Sequence, residues 1–103
     1  MPYTLVFDEV MIKQLKQAAK NQQIKVILTK ILDKLEKDGP LVGKLIDAKL
    51  FLYEVKLKRP PIRLYFKHNK ITDEIYIFEY GMKNSPENQQ YTIQKIKDKI
   101  LKS

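Results

Sequence analysis

The chain contains no cysteine. That absence removes disulfides, thiolate nucleophiles and cysteine-based zinc sites, and it fits a reducing compartment. No apolar run approaches the ~20 residues that a membrane-crossing helix needs. The opening MPYTLVFDEV is acidic and too short for a signal peptide. A cytoplasmic protein that crosses no membrane is therefore expected. No internal repeat or low-complexity tract appears, so 1–103 reads as a single domain. No metal-binding cluster and no glycine-rich phosphate loop is present, and Gly81 reads as a turn residue. No cofactor or metal is expected. Acidic residues are also few: 12 Asp and Glu stand against 20 Lys and Arg, a formal charge of +8. A surplus of that sign points to an anionic partner such as nucleic acid, an acidic protein or a membrane surface, or else to a lysine-rich solvated surface.

What is present folds. At 44% hydrophobic and 31% charged, the composition is that of a globular domain and not of a disordered chain. Residues 3–7 form an extended apolar run, a first strand, and Asp8 is placed to cap a helix. Met11, Leu15, Ala18 and Ala19 follow at helical spacing. After the polar KNQQ break, Ile24, Ile27, Leu28, Ile31, Leu32 and Leu35 mark a second amphipathic helix that Gly39-Pro40 ends. The pair should form a hairpin whose apolar stripe needs a sheet. Residues 41–49 read as a connector. Strands are expected at about 50–58, 62–68 and 74–80, with Arg59-Pro60-Pro61 outside the ladder. In the last of these, Ile75 and Ile77 alternate with Tyr76, Phe78 and Tyr80, so both faces should be covered. Ser85 and Pro86 open a final helix with Ile93, Ile96 and Ile100 on one side and Lys95, Lys97, Lys99 and Lys102 on the other. The expected class is α+β in the order βααβββα, a helical hairpin on one face of a small, twisted, mainly antiparallel sheet.

The charge concentrates in YEVKLKRPPIRLYFKH, residues 53–68. Side chains alternate along a strand. Phe51, Tyr53, Val55 and Leu57 therefore oppose Glu54, Lys56 and Lys58, and Ile62, Leu64 and Phe66 oppose Arg63, Tyr65 and Lys67. With the apolar sets on the hairpin, the other face should display Glu54, Lys56, Lys58, Arg63, Tyr65 and Lys67. Cations interleaved with tyrosine suit a single-stranded nucleic acid, whose phosphates pair with the cations and whose bases stack on the rings. An ordinary solvated sheet face is the plainer explanation. His68, the only histidine, is either an acid–base group or a turn residue. Glu54 is either a proton acceptor or a charge-balancing partner of the cations.

These stretches carry a resemblance. LYEVK at 52–56, then Arg63, Leu64 and Tyr65 on the next strand, then Phe78, Lys83, Ser85 and Pro86 before the last helix, resemble the RelE/ParE toxin superfamily, and within it the HigB-like branch. The resemblance spans essentially the whole chain. It implies the toxin component of a type II toxin–antitoxin system, typically a metal-independent, ribosome-dependent mRNA endonuclease held in check by a cognate antitoxin. In that chemistry the RNA 2′-hydroxyl attacks the adjacent phosphate, leaving a cyclic phosphate and a free 5′-hydroxyl. The resemblance implies catalytic roles for Lys56, Arg63 and Lys83, with Glu54 and Tyr91 as further candidates. Lys58, Tyr65, Lys67 and His68 would contact RNA. The alternatives within the resemblance are a ParE-like inhibitor of DNA gyrase that cuts no RNA, and a degenerate relative that only binds RNA or its antitoxin.

Overall fold

A computed structural model describes residues 2–82 and 85–102. Asp8 leaves the first strand, β1 (Thr4–Phe7), in an extended conformation and accepts from the Val10 amide at 3.0 Å, which starts α1 (Glu9–Ala18). Asn21 does the same for α2 (Gln22–Asp38), accepting from Ile24 at 3.2 Å. Gly39 ends α2 with φ +67°, a left-handed conformation that glycine adopts without strain, and a Cβ there would run into the Tyr3 ring. A single 3₁₀ turn, Gly39–Val42, leads into β2 (Lys44–Asp47). β3 (Leu52–Lys56), β4 (Ile62–Asn69) and β5 (Glu74–Met82) follow, and then α3 (Pro86–Lys102). At its start the Ser85 hydroxyl accepts from the Asn88 amide at 3.2 Å, the cap expected of it.

The sheet has five strands in the order β1-β5-β4-β3-β2. β1 runs parallel to β5 and the other pairings are antiparallel. The α+β architecture with a helical hairpin on one sheet face is as expected. The connector is not: residues 44–47 pair with β3, adding an edge strand. β3 is also shorter than expected, so Lys58 stands in the loop between β3 and β4 and not on the sheet.

Two cores form. On one face Met11, Leu28, Ile31 and Leu35 of the hairpin pack on Val55, Leu64, Phe66, Ile75 and Ile77. On the other, Ile96 of α3 is buried against Leu52, Tyr65 and Phe78, with Ile93 and Ile100 beside it. This second core overturns the expectation of an open basic face. The isoleucine stripe of α3 needs an apolar surface, and the sheet face that carries Arg63 supplies it.

A bulge sets which side chains meet there. In the β4–β5 ladder Tyr65 faces Glu79 while Phe66 faces Ile77, so Phe78 is the extra residue. Beyond it the alternation inverts. Tyr80 joins the hairpin core with Ile75 and Ile77, and Glu79 turns to the α3 side. Simple alternation had grouped Tyr80 with Tyr76 and Phe78.

Candidate functional site

Register builds the site. Glu54 of β3, Tyr65 of β4 and Glu79 of β5 lie in one row across the sheet, and Lys56, Arg63 and Gly81 form the next. All six are on the α3 side of the sheet. Glu54, Arg63, Tyr65 and Glu79 are 8, 9, 3 and 8% exposed, so three charged groups and a phenol are buried together. Burial of that kind is tolerated only with partners. Arg63 Nη1 donates to Glu54 Oε2 at 3.1 Å, and Gln89 Nε2 of α3 donates to the same oxygen at 3.1 Å. Lys95 of α3 approaches both oxygens of Glu79, at 3.3 and 3.2 Å. Arg63 Nε is buried with no hydrogen-bond partner.

Arg63 also lines a cavity of about 60 Å³, together with Tyr65, Glu79, Gly81, Met82, Gln89 and Thr92. Gly81 lies directly across the ladder from Arg63, and a Cβ on it would meet nothing within 4 Å. Packing therefore does not demand a glycine here; its missing side chain leaves the cavity open beside the guanidinium. The Tyr65 phenol is held well above its ordinary pKa. Burial is the main cause, and the Glu54 carboxylate, which Tyr65 also hydrogen-bonds, adds to it. Tyr65 thus stays protonated and acts as a hydrogen-bond donor, not as a base.

The expected site residues divide sharply. Glu54, Arg63 and Tyr65 come together in this network. Lys56 is exposed beside them in register, but it lines a different concavity, between α2 and β3. Lys67 lies further along β4, in a cavity near the C-terminal end of α3. His68 is on the hairpin side of the sheet, buried, with Nε2 3.2 Å from Asp73 Oδ1 and its ring edge-on to Tyr3. Tyr91 is 70% exposed and lines none of the described cavities near Arg63. Lys83 lies outside the described residues. Glu79, Gln89 and Thr92 were missed. Glu79 was hidden by the bulge, and the two α3 residues by the expectation that nothing covered this face. The Ser85 cap was the available signal, since it puts Gln89 and Thr92 one turn and two turns into a helix that must pack somewhere.

The larger cavity at the other end of α3, about 280 Å³, is lined by Asp8, Lys67, Tyr76 and Lys99 among others. Its central groups are mutually satisfied. Asp8 accepts from Tyr76 Oη at 2.8 Å and from Lys99 Nζ at 3.0 Å, besides the Val10 amide. Burial works against the Asp8 carboxylate, but the Val10 amide, Lys99 and Tyr76 outweigh it and hold its pKa below the ordinary value of 3.8. Burial and the bond to Asp8 push the Tyr76 phenol up to about 12. This end fastens α3 to the sheet, helped by Lys97, 3.2 Å from Asp47. Among the described residues no group of His, Cys, Asp and Glu could hold a metal ion.

No protein-family model matches the chain, and no curated protein matches it. Solved structures do. A chain of the RelBE2 toxin–antitoxin complex from Mycobacterium tuberculosis superposes with a TM-score of 0.65 at 16% identity, over 81% of this chain and 100% of that one. A chain of the intact E. coli RelBE toxin–antitoxin complex gives 0.61 at 20% identity, over 81% and 99%. The isolated E. coli RelE toxin gives 0.55 at 21% identity, over 91% and 98%. The chain has a RelE-like fold.

Proposed function

We propose that this protein is the toxin component of a toxin–antitoxin pair and an endoribonuclease that acts on mRNA at the ribosome, with Arg63 as its central cation. The observation that carries this reading is a buried Arg63 that lines a cavity and keeps a guanidinium nitrogen, Nε, without a hydrogen-bond partner. A guanidinium is always charged and carries donors in a fixed fork. Glu54 engages one arm of that fork, so its role is to position Arg63, and donors remain for a phosphate. The cavity is about 60 Å³, room for a phosphate group but not for a nucleotide. The sugar and base would therefore lie at the mouth, over Gly81 and Met82. The fold shared with RelE and the motifs at 52–56 and 63–65 support the same reading.

In the proposed reaction the 2′-oxygen loses its proton as it bonds to phosphorus, and the P–O5′ bond breaks as that oxygen takes a proton from solvent water. Negative charge grows on the non-bridging oxygens, where Arg63 donates. Tyr65, held protonated, spends its single O–H on Glu54 and so helps to hold the carboxylate that positions Arg63. Glu79 is the carboxylate of the cavity that can accept the 2′ proton, and Lys56 outside the cavity draws the RNA backbone in.

The test is cleavage of mRNA on purified ribosomes, with product ends identified as cyclic phosphate and 5′-hydroxyl. Arg63→Lys keeps the charge and a bond to Glu54 but loses the fork and Nε. Cleavage should fall by roughly a hundredfold to a thousandfold, with thermal unfolding little changed. Wild-type cleavage by Arg63→Lys would remove Arg63 from the mechanism. Absence of cleavage by the wild-type protein, with inhibition of DNA gyrase instead, would establish the non-nuclease alternative.

A further inference from the structure

Among the described residues the Arg63 guanidinium makes one hydrogen bond, from Nη1 to Glu54 Oε2 at 3.1 Å, and Nε makes none. A guanidinium that grips a carboxylate with both arms of its fork is fixed in plane, whereas one held at a single nitrogen can pivot about that bond. The aim of Arg63 is therefore only as fixed as the carboxylate it holds. Glu54 has two further donors. Tyr65, directly across the ladder, hydrogen-bonds it. The other comes from α3: Gln89 Nε2 lies 3.1 Å from the same Oε2 that Arg63 holds.

The chemistry of this contact suits glutamine. A carboxylate oxygen only accepts, so the nitrogen of the amide, and not its oxygen, faces Glu54. A lysine at 89 would compete with Arg63 as a second cation, a glutamate would repel Glu54, and an asparagine is one methylene shorter. A neutral donor on a long side chain adds a bond to Oε2 and leaves the charges of the Glu54–Arg63 pair balanced. The backbone that delivers the amide is itself anchored. The Gln89 N–H donates to Ser85 O at 3.0 Å, and Lys95, Lys97 and Lys99 pin the rest of α3. We propose that Gln89 is a positioning residue for Arg63: through Glu54 it sets the direction in which the guanidinium presents its remaining donors. Its hold on Arg63 rests on these contacts alone, and its effect on cleavage rests on the ribonuclease reading. The start of α3 is then part of the site and not only a cover over it.

The experiment compares wild type, Gln89→Leu and Gln90→Leu as whole chains. Gln90 is the exposed neighbour on the same helix and serves as the control. One readout is steady-state cleavage of mRNA on purified ribosomes. The other is the proton–nitrogen NMR cross-peak of Arg63 Nε–H, assigned by its loss in Arg63→Lys. Gln89→Leu should lower kcat about tenfold and leave KM within about twofold, because a guanidinium that is present but misdirected loses contacts to the transition state. Its Arg63 cross-peak should move and broaden at a temperature where thermal unfolding shows the variant folded. Gln90→Leu should change neither readout. Gln89→Asn, which keeps the amide and shortens its reach, should show both changes to a smaller degree and decides the matter if Gln89→Leu does not fold. A wild-type kcat in the Gln89 variants overturns the proposal, as does an unmoved cross-peak or an equal shift in Gln90→Leu. If the wild-type protein cuts no RNA, the ribonuclease reading falls and the cross-peak alone decides the positioning role. If it cuts RNA and the Gln89 variants cut equally well, only the positioning role falls.

Discussion

The two faces of the sheet carry comparable numbers of cations in opposite states. On the α3 face Arg63, Lys95, Lys97 and Lys99 are each bonded to a carboxylate of the same chain, namely Glu54, Glu79, Asp47 and Asp8. Around the groove between α2 and β3, Lys30, Lys34, Lys56 and Arg59 have no such partner among the described residues. Net charge alone would rank the two regions as equal anion sites. Pairing separates them. On the α3 face these ionic groups fasten a helix, while Arg63 Nε keeps no hydrogen-bond partner. At the groove the charge faces outward. A basic stretch of sequence thus divides into structural and available charge only after its partners are known.

The comparison breaks most visibly at Arg63. Arg63→Ala strands Glu54 in a buried site and should destabilise the protein by about 3–5 kcal/mol, far more than truncation of an exposed strand residue. Replacing both partners, as Arg63→Gln with Glu54→Gln, should recover most of that stability and none of the cleavage. Chemical denaturation of the single and double variants, beside the cleavage assay, checks both halves. If the single variant is as stable as wild type, the pair is not buried in solution.

Ile96→Ala should come next, at about 2–5 kcal/mol, because Ile96 is 1% exposed and central to the α3 core. A loss under about 0.5 kcal/mol, the range of surface sites, would mean that α3 does not rest on the sheet.

The latch at Asp8 should appear as pH dependence. Its folded pKa lies below the ordinary 3.8, so its ionised form contributes stability that is fully present above about pH 4. That contribution is lost as pH falls through the lower folded value. Asp8→Asn keeps a good helix cap but removes the charge. Melting temperatures of the two proteins should differ at neutral pH and converge as pH drops below about 4. Parallel curves across that range would exclude an ionic role for Asp8.

The smallest effect belongs to the groove. Lys30→Ala and Lys34→Ala break no bond within the chain and should shift stability by no more than about 0.5 kcal/mol. A larger loss would show that these lysines have partners in solution and would erase the contrast with α3.

Much of this fold was legible because its signals are periodic. The α2 stripe, the caps at Asp8 and Ser85 and the glycine at 39 each announce an element locally. β2 was not, because four residues, Lys-Leu-Ile-Asp, are too few for alternation to speak and Leu45 stays 44% exposed. The site was half legible. Alternation brought Glu54, Arg63 and Tyr65 to one face, since it holds without interruption in β3 and in β4 up to Tyr65. It failed at Phe78, where one extra residue inverts the faces and no side chain marks the change. The harder miss was long-range. Ile93, Ile96 and Ile100 showed that α3 buries a stripe, but not that the stripe lies over the charged face. Leu52, Tyr65 and Phe78 supply its apolar floor from three strands, a combination that only register assembles.

The pairing of β1 with β5 has a consequence in time. Thr4 lies beside Glu74 and Phe7 beside Ile77, so β1 finds its neighbour only after β2, β3 and β4 have been made. Such non-local contacts close late and slow folding. α3, which shields the Arg63 row, is synthesised after all the strands it covers. During translation, therefore, the nascent chain holds an N-terminal hairpin with no sheet beneath it, and a sheet edge with nothing over it. In that interval exposed apolar surface is open to other chains, and any partner that binds early meets the hairpin before the Arg63 site has been assembled.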